Sequence, residues 1–194
     1  MDLAVRKVSL LSLYIAILLI RAYFNSRRKK IAFSRRVDFS RQKLIVYLIQ
    51  AGAAIPVVLW LCTSILNFAD LAVPRLVWST GLVIYTSGVF LLLWTHLTLG
   101  DHFSDTIELR ANHTLIKKGP YFLIRHPMYS SVLLTVVGAF LLTGNWCFLA
   151  IQMSVYMLIV FVRIPAEDDA MRGQFGAEYD DYVLGTKKII PWIY

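Results

Sequence analysis

The chain is 194 residues long, 58% hydrophobic and only 16% charged, with a net charge of +8. A soluble domain carries about 25% charged residues, so this chain has too little polar surface to cover its apolar groups in water. Disorder, collagen-like repeats and a disulfide scaffold are excluded. The apolar residues gather in uncharged runs, which reads as an integral membrane protein. In a soluble protein the positive charge would raise nucleic acid as a partner; here it reports basic flanks meeting membrane lipids with anionic headgroups, and no nucleic acid is expected.

The first run, Val8 to Phe24, is interrupted only by Arg21, which can snorkel from near the helix end. No small-residue cleavage site follows it, and Arg-Arg-Lys-Lys at 27–30 is a stop-transfer type flank, so it reads as a span and not as a signal peptide. The second run, Leu44 to Leu66, has 23 residues without a charge. At about 1.5 Å per residue it crosses a ~30 Å hydrocarbon core, and Pro56 predicts a kink. The third, Leu76 to Leu99, holds His96 near its end. Residues 100–126 are polar and contain the turn signal Gly119-Pro120. Two runs of 17 residues follow, Pro127 to Thr143 and Trp146 to Val162, separated only by Gly144-Asn145. So short a link predicts an antiparallel hairpin, and Pro127 suits the first turn of its helix. Polar character returns over 163–194, where Ala166 to Leu184 fits an interfacial or docked helix with a break near Gly173 or Gly176. Cys62 and Cys147 lie inside apolar runs and read as packing or lipid-facing residues.

The predicted fold is therefore all-α, with five transmembrane helices. Its two regions are 1–99, three N-terminal spans with a basic link at 25–43, and 100–194, a catalytic region containing the hairpin at 127–162 and a polar tail. Five spans place 17 of the 20 basic residues on one side, leaving Arg6, Lys7 and Arg75 on the other. The positive-inside rule then puts the N-terminus outside and the C-terminus in the cytoplasm. The segments 100–126 and 163–194 face the cytoplasm together, and a cofactor site is expected there.

Ionisable groups at membrane depth are costly, which makes them functional candidates. Arg125 and His126 precede the fourth span, and Arg163 and Glu167 follow the fifth. Equal hairpin arms set those two pairs side by side. The spacing of Arg163 and Glu167 also describes an ordinary surface ion pair of ~0.3–0.5 kcal/mol. Arg125-His126-Pro127 also describes a basic flank and helix start, and the tyrosines an interfacial belt. No zinc spacing, phosphate loop or nucleophile elbow occurs, and His96, His102, His113 and His126 form no metal cluster pattern.

His113-Thr114-Leu115-Ile116-Lys117-Lys118-Gly119-Pro120-Tyr121, followed by Arg125-His126-Pro127-Met128-Tyr129, resembles the signature of isoprenylcysteine carboxyl methyltransferases. The hairpin, then Arg163-x-x-x-Glu167, then Phe175-Gly176-x-Glu178-Tyr179-x-x-Tyr182 and Ile190-Pro191, continue it in order over roughly residues 94–192. Membrane methyltransferases of phospholipids share much of this pattern, and sterol reductases part of it. Two departures are Ser131, where the family often has Gly, and the acidic run Glu167-Asp168-Asp169 in place of consecutive Glu.

The resemblance implies S-adenosyl-L-methionine as methyl donor, S-adenosyl-L-homocysteine as product, and a prenylated, lipid-linked carboxylate as acceptor. It implies donor contacts from His113, Thr114, Leu115, Ile116, Gly119, Tyr121, His126, Pro127, Met128, Tyr129 and Glu167. The helix start at His126-Pro127 is expected to offer N–H groups to a carboxylate. Arg163 is the expected catalytic and acceptor-binding residue, because its fork matches a carboxylate. An amine acceptor, as in phospholipid N-methylation, would need a base and favour an acidic clamp. A non-catalytic adaptor or transporter would not need the Gly119 to Glu167 constellation. The oligomeric state is open.

Overall fold

The computed structural model describes residues 2–27, 33–36, 39–100, 108–110 and 114–193. The apolar runs form α1 (Asp2–Arg27), α2 (Phe39–Cys62), α3 (Arg75–Leu99), α4 (Pro127–Thr143) and α5 (Trp146–Leu158). A π turn, Ile159–Arg163, carries α5 into α6 (Ile164–Phe175), and α7 (Ala177–Gly185) follows. Among the described residues, Asp2–Arg27, Gln42–Cys62, Arg75–Leu99 and Trp146–Phe175 are long and apolar enough to cross a membrane. Where five spans were expected, four helices meet that length. α4 has 17 residues, which at the rise of a helix covers only about 26 Å of a ~30 Å core.

Two expectations about helix ends are corrected. The second apolar run does not stay helical to Leu66. Thr63 Oγ donates to the Leu59 carbonyl at 2.7 Å and accepts from the Ile65 N–H at 3.3 Å, a local alternative to the helix ladder, and a 3-10 turn follows at Asn67–Ala69. The fifth run does not stop at Val162: the helix runs on to Phe175 and breaks at Gly176, which sits at φ +52°. Beside the helices the described residues hold one short ribbon. β1 (Phe33–Arg36) pairs antiparallel with β2 (Glu108–Arg110), Phe33 opposite Arg110 and Arg36 opposite Glu108.

That ribbon joins the 25–43 link to the 100–126 segment, so both polar links lie at one end of the bundle. The other end is tied by the hairpin tip. Asn145, fully buried, donates to the Leu66 carbonyl and to Asp70, both at 2.7 Å. Its Oδ1 accepts from the Phe148 N–H at 2.8 Å and so caps α5. The Arg6 guanidinium from α1 reaches the last carbonyls of α4, Leu142 and Thr143.

α3 and α4 form the closest pair, and small residues let them approach. A Cβ on Gly138 would stand 2.4 Å from the Tyr85 nitrogen, and one on Gly81 would stand 2.6 Å from the Leu142 nitrogen. Both obstacles are backbone, which cannot swing aside. Gly138→Ala is therefore expected to lower stability by about 1–3 kcal/mol. The check is the thermal transition in detergent; an unchanged transition would mean the helices part without cost.

Candidate active site

Opposite the hairpin tip, the C-terminal residues form a strap across the start of α4. The Arg125 and His126 N–H groups donate to the carbonyls of Lys187 (2.8 Å) and Lys188 (2.9 Å), and Ser130 Oγ donates to Ile189 O at 2.5 Å. The Arg125 side chain donates to Thr186 O at 2.5 Å and to Val183 O at 3.3 Å, closing the end of α7. Tyr182 Oη donates to the Tyr121 carbonyl at 2.6 Å. Arg125 is thus engaged in holding the strap. At the expected donor-carboxylate contact, the His126 N–H donates to Lys188 and Pro127 has none to give.

Beneath the strap four side chains meet. Arg163 Nε donates to Tyr129 Oη at 2.6 Å and to Glu167 Oε1 at 3.0 Å, and Tyr129 Oη donates to the same Glu167 oxygen. His126 Nδ1 lies 3.6 Å from Glu167 Oε2, and its ring stacks on Tyr129 at 5.7 Å between centroids. Arg163 is only 8% exposed, so the surface-pair reading does not hold. In a buried pair, removing one partner costs about 3–5 kcal/mol, because the other charge is stranded.

The local fold that achieves this is the π turn. Pro165 has no N–H and its ring would collide with the carbonyl four residues back. The helix widens at Ile159–Arg163, directly before it, and so turns Arg163 and Glu167 toward α4. Between the helices beside Arg163 lies a half-open cavity of about 600 Å³. Ile17 of α1, Ile49 of α2, Val132 of α4 and Val155 of α5 line it, and Tyr129 and Arg163 stand on its wall.

The other expected contact residues are more dispersed. Thr114 is exposed, and Leu115 and Ile116 are half-buried. Gly119 turns the chain at φ +59°, where a Cβ would meet the Thr98 hydroxyl at 2.7 Å. Burial raises the Tyr121 phenol above its ordinary pKa, and the Glu167 carboxylate nearby adds to this. Met128 lines the cavity. His113 lies outside the described residues. For His126 burial opposes the charged form, but hydrogen bonds and charge from Asp168 and Glu167 outweigh it and the pKa is raised.

Three residues given no role from sequence belong to this cluster. Asp168 Oδ1 lies 2.8 Å from His126 Nε2 and accepts from Tyr179 Oη at 2.5 Å, and Lys188 Nζ is 3.9 Å from Asp168 Oδ2. The signal available was the acidic run itself, with Asp168 next to Glu167.

In this bundle of apolar helices a buried Arg-Glu-Tyr-His cluster lies between a polar strap and an apolar cavity. The family model for isoprenylcysteine carboxyl methyltransferases matches residues 80–173, and the chain belongs to that family. It is 31% identical over 133 residues to a probable protein-S-isoprenylcysteine O-methyltransferase of Oryza sativa subsp. indica, covering 68% of this chain and 70% of that protein. It is 30% identical over 116 residues to protein-S-isoprenylcysteine O-methyltransferase B of Arabidopsis thaliana, covering 58% of each. Among solved structures it resembles the eukaryotic intramembrane Ras methyltransferase ICMT, with a TM-score of 0.55 and 23% identity. That match covers 81% of this chain and 55% of the solved one, so this chain spans little more than half its length.

Proposed function

We propose that this protein spans the membrane five times and transfers a methyl group from S-adenosyl-L-methionine to the carboxylate of a prenylated cysteine at the cytoplasmic face. The observation that carries this reading is Arg163, buried where an apolar cavity meets the polar cluster. A lipid-borne acceptor lies along the cavity, and its carboxylate reaches the Arg163 guanidinium, whose fork suits a two-point clamp.

The donor set fits S-adenosyl-L-methionine. Glu167 offers a carboxylate to its ammonium or ribose diol, and Tyr121 and Tyr129 offer aromatic faces to a cation, worth ~0.5–2 kcal/mol each. When bound, the donor supplies an electrophilic methyl group on a sulfonium. The protein's own share is to bind, align and exclude water. An α-carboxylate has a pKa near ~3.5 and is ionised at neutral pH, so no base is needed. Alignment alone can supply ~7–11 kcal/mol of barrier reduction.

The test is methyl transfer in detergent to a prenylcysteine analogue beside phosphatidylethanolamine, between about pH 6 and 8. At saturating donor, a carboxylate acceptor gives a base-labile methyl ester and a rate flat over that range. Methylation of the amine lipid alone, with a rate rising as its ammonium deprotonates, would move the assignment to phospholipid N-methylation. Sidedness has its own check. Cysteine labels in the 25–43 link and at Lys187 should react from the cytoplasm, and one at Asp70 from the opposite face.

A further inference from the structure

We infer that Asp168 is a positioning residue of this site: through His126 it fixes Glu167, and it ties that pair to α7 and to the C-terminal strap. The inference rests on the donor role proposed for Glu167.

The geometry starts at the imidazole. Nε2 lies 2.8 Å from Asp168 Oδ1, and Nδ1 lies 3.6 Å from Glu167 Oε2. A neutral ring has one N–H. With that hydrogen given to Asp168, a lone pair on Nδ1 would face the Glu167 carboxylate and push it away. The imidazolium alone satisfies both acids. His126 is thus a cationic bridge, and Asp168 supplies half the negative charge that keeps it so.

The remaining groups around His126 support this assignment. Tyr129 of α4 stacks on the ring and donates to Glu167. Arg163, in the π turn before α6, holds the other Glu167 oxygen. On the far side, Asp168 is steadied by Tyr179 of α7 and by Lys188 of the strap, while the neighbouring Arg125 points to the end of α7. The sign of the pH dependence follows. The folded-state pKa of His126 is raised, so the bridge is complete below the ordinary histidine value of ~6.5 and is lost as pH rises through the raised value. Above that point Glu167 is no longer held on this side.

Asp168→Asn keeps the shape and an acceptor for Nε2–H and for Tyr179, and removes only the charge. The experiment follows His126 by NMR of histidine-labelled protein in detergent, assigned with His126→Gln, together with S-adenosyl-L-homocysteine affinity from pH 5.5 to 8.5. Wild type should titrate above the ordinary histidine value. In Asp168→Asn the His126 midpoint should fall by about one pH unit or more. Affinity should then be near wild type at pH 5.5 and weaker by about tenfold at pH 8, and Asp168→Glu should restore part of it. Tyr179→Phe loosens α7 but keeps the charge, so the His126 midpoint should stay raised. A purely structural Asp168 predicts the same weakening at every pH and an unmoved midpoint, which overturns the inference. If Asp168→Asn does not fold, wild type and Tyr179→Phe decide it: a His126 midpoint at or below the ordinary value in wild type overturns it. If wild type binds no S-adenosyl-L-homocysteine at any pH, the donor role of Glu167 falls instead, and the His126 titration still reports on Asp168.

Discussion

Arg163→Ala is expected to reduce methyl transfer about 100-fold or more, because it removes the group that fixes the acceptor carboxylate against the donor. Arg163→Lys should also transfer poorly, since a point charge cannot hold both oxygens. The two variants differ in stability. Alanine strands Glu167 and Tyr129, which share the single Arg163 Nε–H at 3.0 and 2.6 Å, and should cost about 3–5 kcal/mol. Lysine keeps a positive charge and should fold closer to wild type. Thermal transitions in detergent separate that effect from catalysis. Arg163→Lys with a wild-type transition and wild-type turnover would mean that Arg163 only anchors the helix. Donor affinity should fall modestly in both variants, because Glu167 loses the partner that orients one of its oxygens.

The features legible in the sequence were those with a local cause. Uncharged runs gave the helices, Gly144-Asn145 gave the hairpin, and from equal arms it followed that Arg125-His126 and Arg163-Glu167 lie at one end. In the structure His126 and Glu167 are 3.6 Å apart. The features that escaped depend on partners distant in sequence. The strap pairs Lys187 and Lys188 with residues about sixty positions earlier, through backbone groups that carry no side-chain signal. It occupies the His126 N–H and engages the Arg125 side chain. The ribbon between Phe33–Arg36 and Glu108–Arg110 is equally remote. The length of the last long helix was misjudged for another reason. Acidic residues from Glu167 onward end a hydropathy run, but not a helix. The proline that marks the π turn, Pro165, sits within the same stretch and was readable as a local irregularity.

Glu167 tests the donor side of the site. Its carboxylate is the acceptor on which Arg163, Tyr129 and His126 converge, so three donors fix its orientation before any ligand arrives. Such preorganisation is what makes one charge-assisted contact worth its full value. Glu167→Gln keeps the size and an oxygen for Arg163 and Tyr129, and removes the charge that faces a cationic ligand. Losing that interaction costs ~1.5–3 kcal/mol, so S-adenosyl-L-homocysteine should bind about 10- to 150-fold more weakly. Glu167→Ala should bind no better and should also unfold more readily, with Arg163 left buried without its carboxylate. In a methyl-transfer assay Glu167→Gln should raise the KM for S-adenosyl-L-methionine while the KM for a prenylcysteine analogue changes little. Isothermal titration with folded Glu167→Gln decides the matter. Wild-type affinity in that variant would reduce Glu167 to a partner that keeps Arg163 in place, and the donor's cationic groups would have to be met by other residues under the strap.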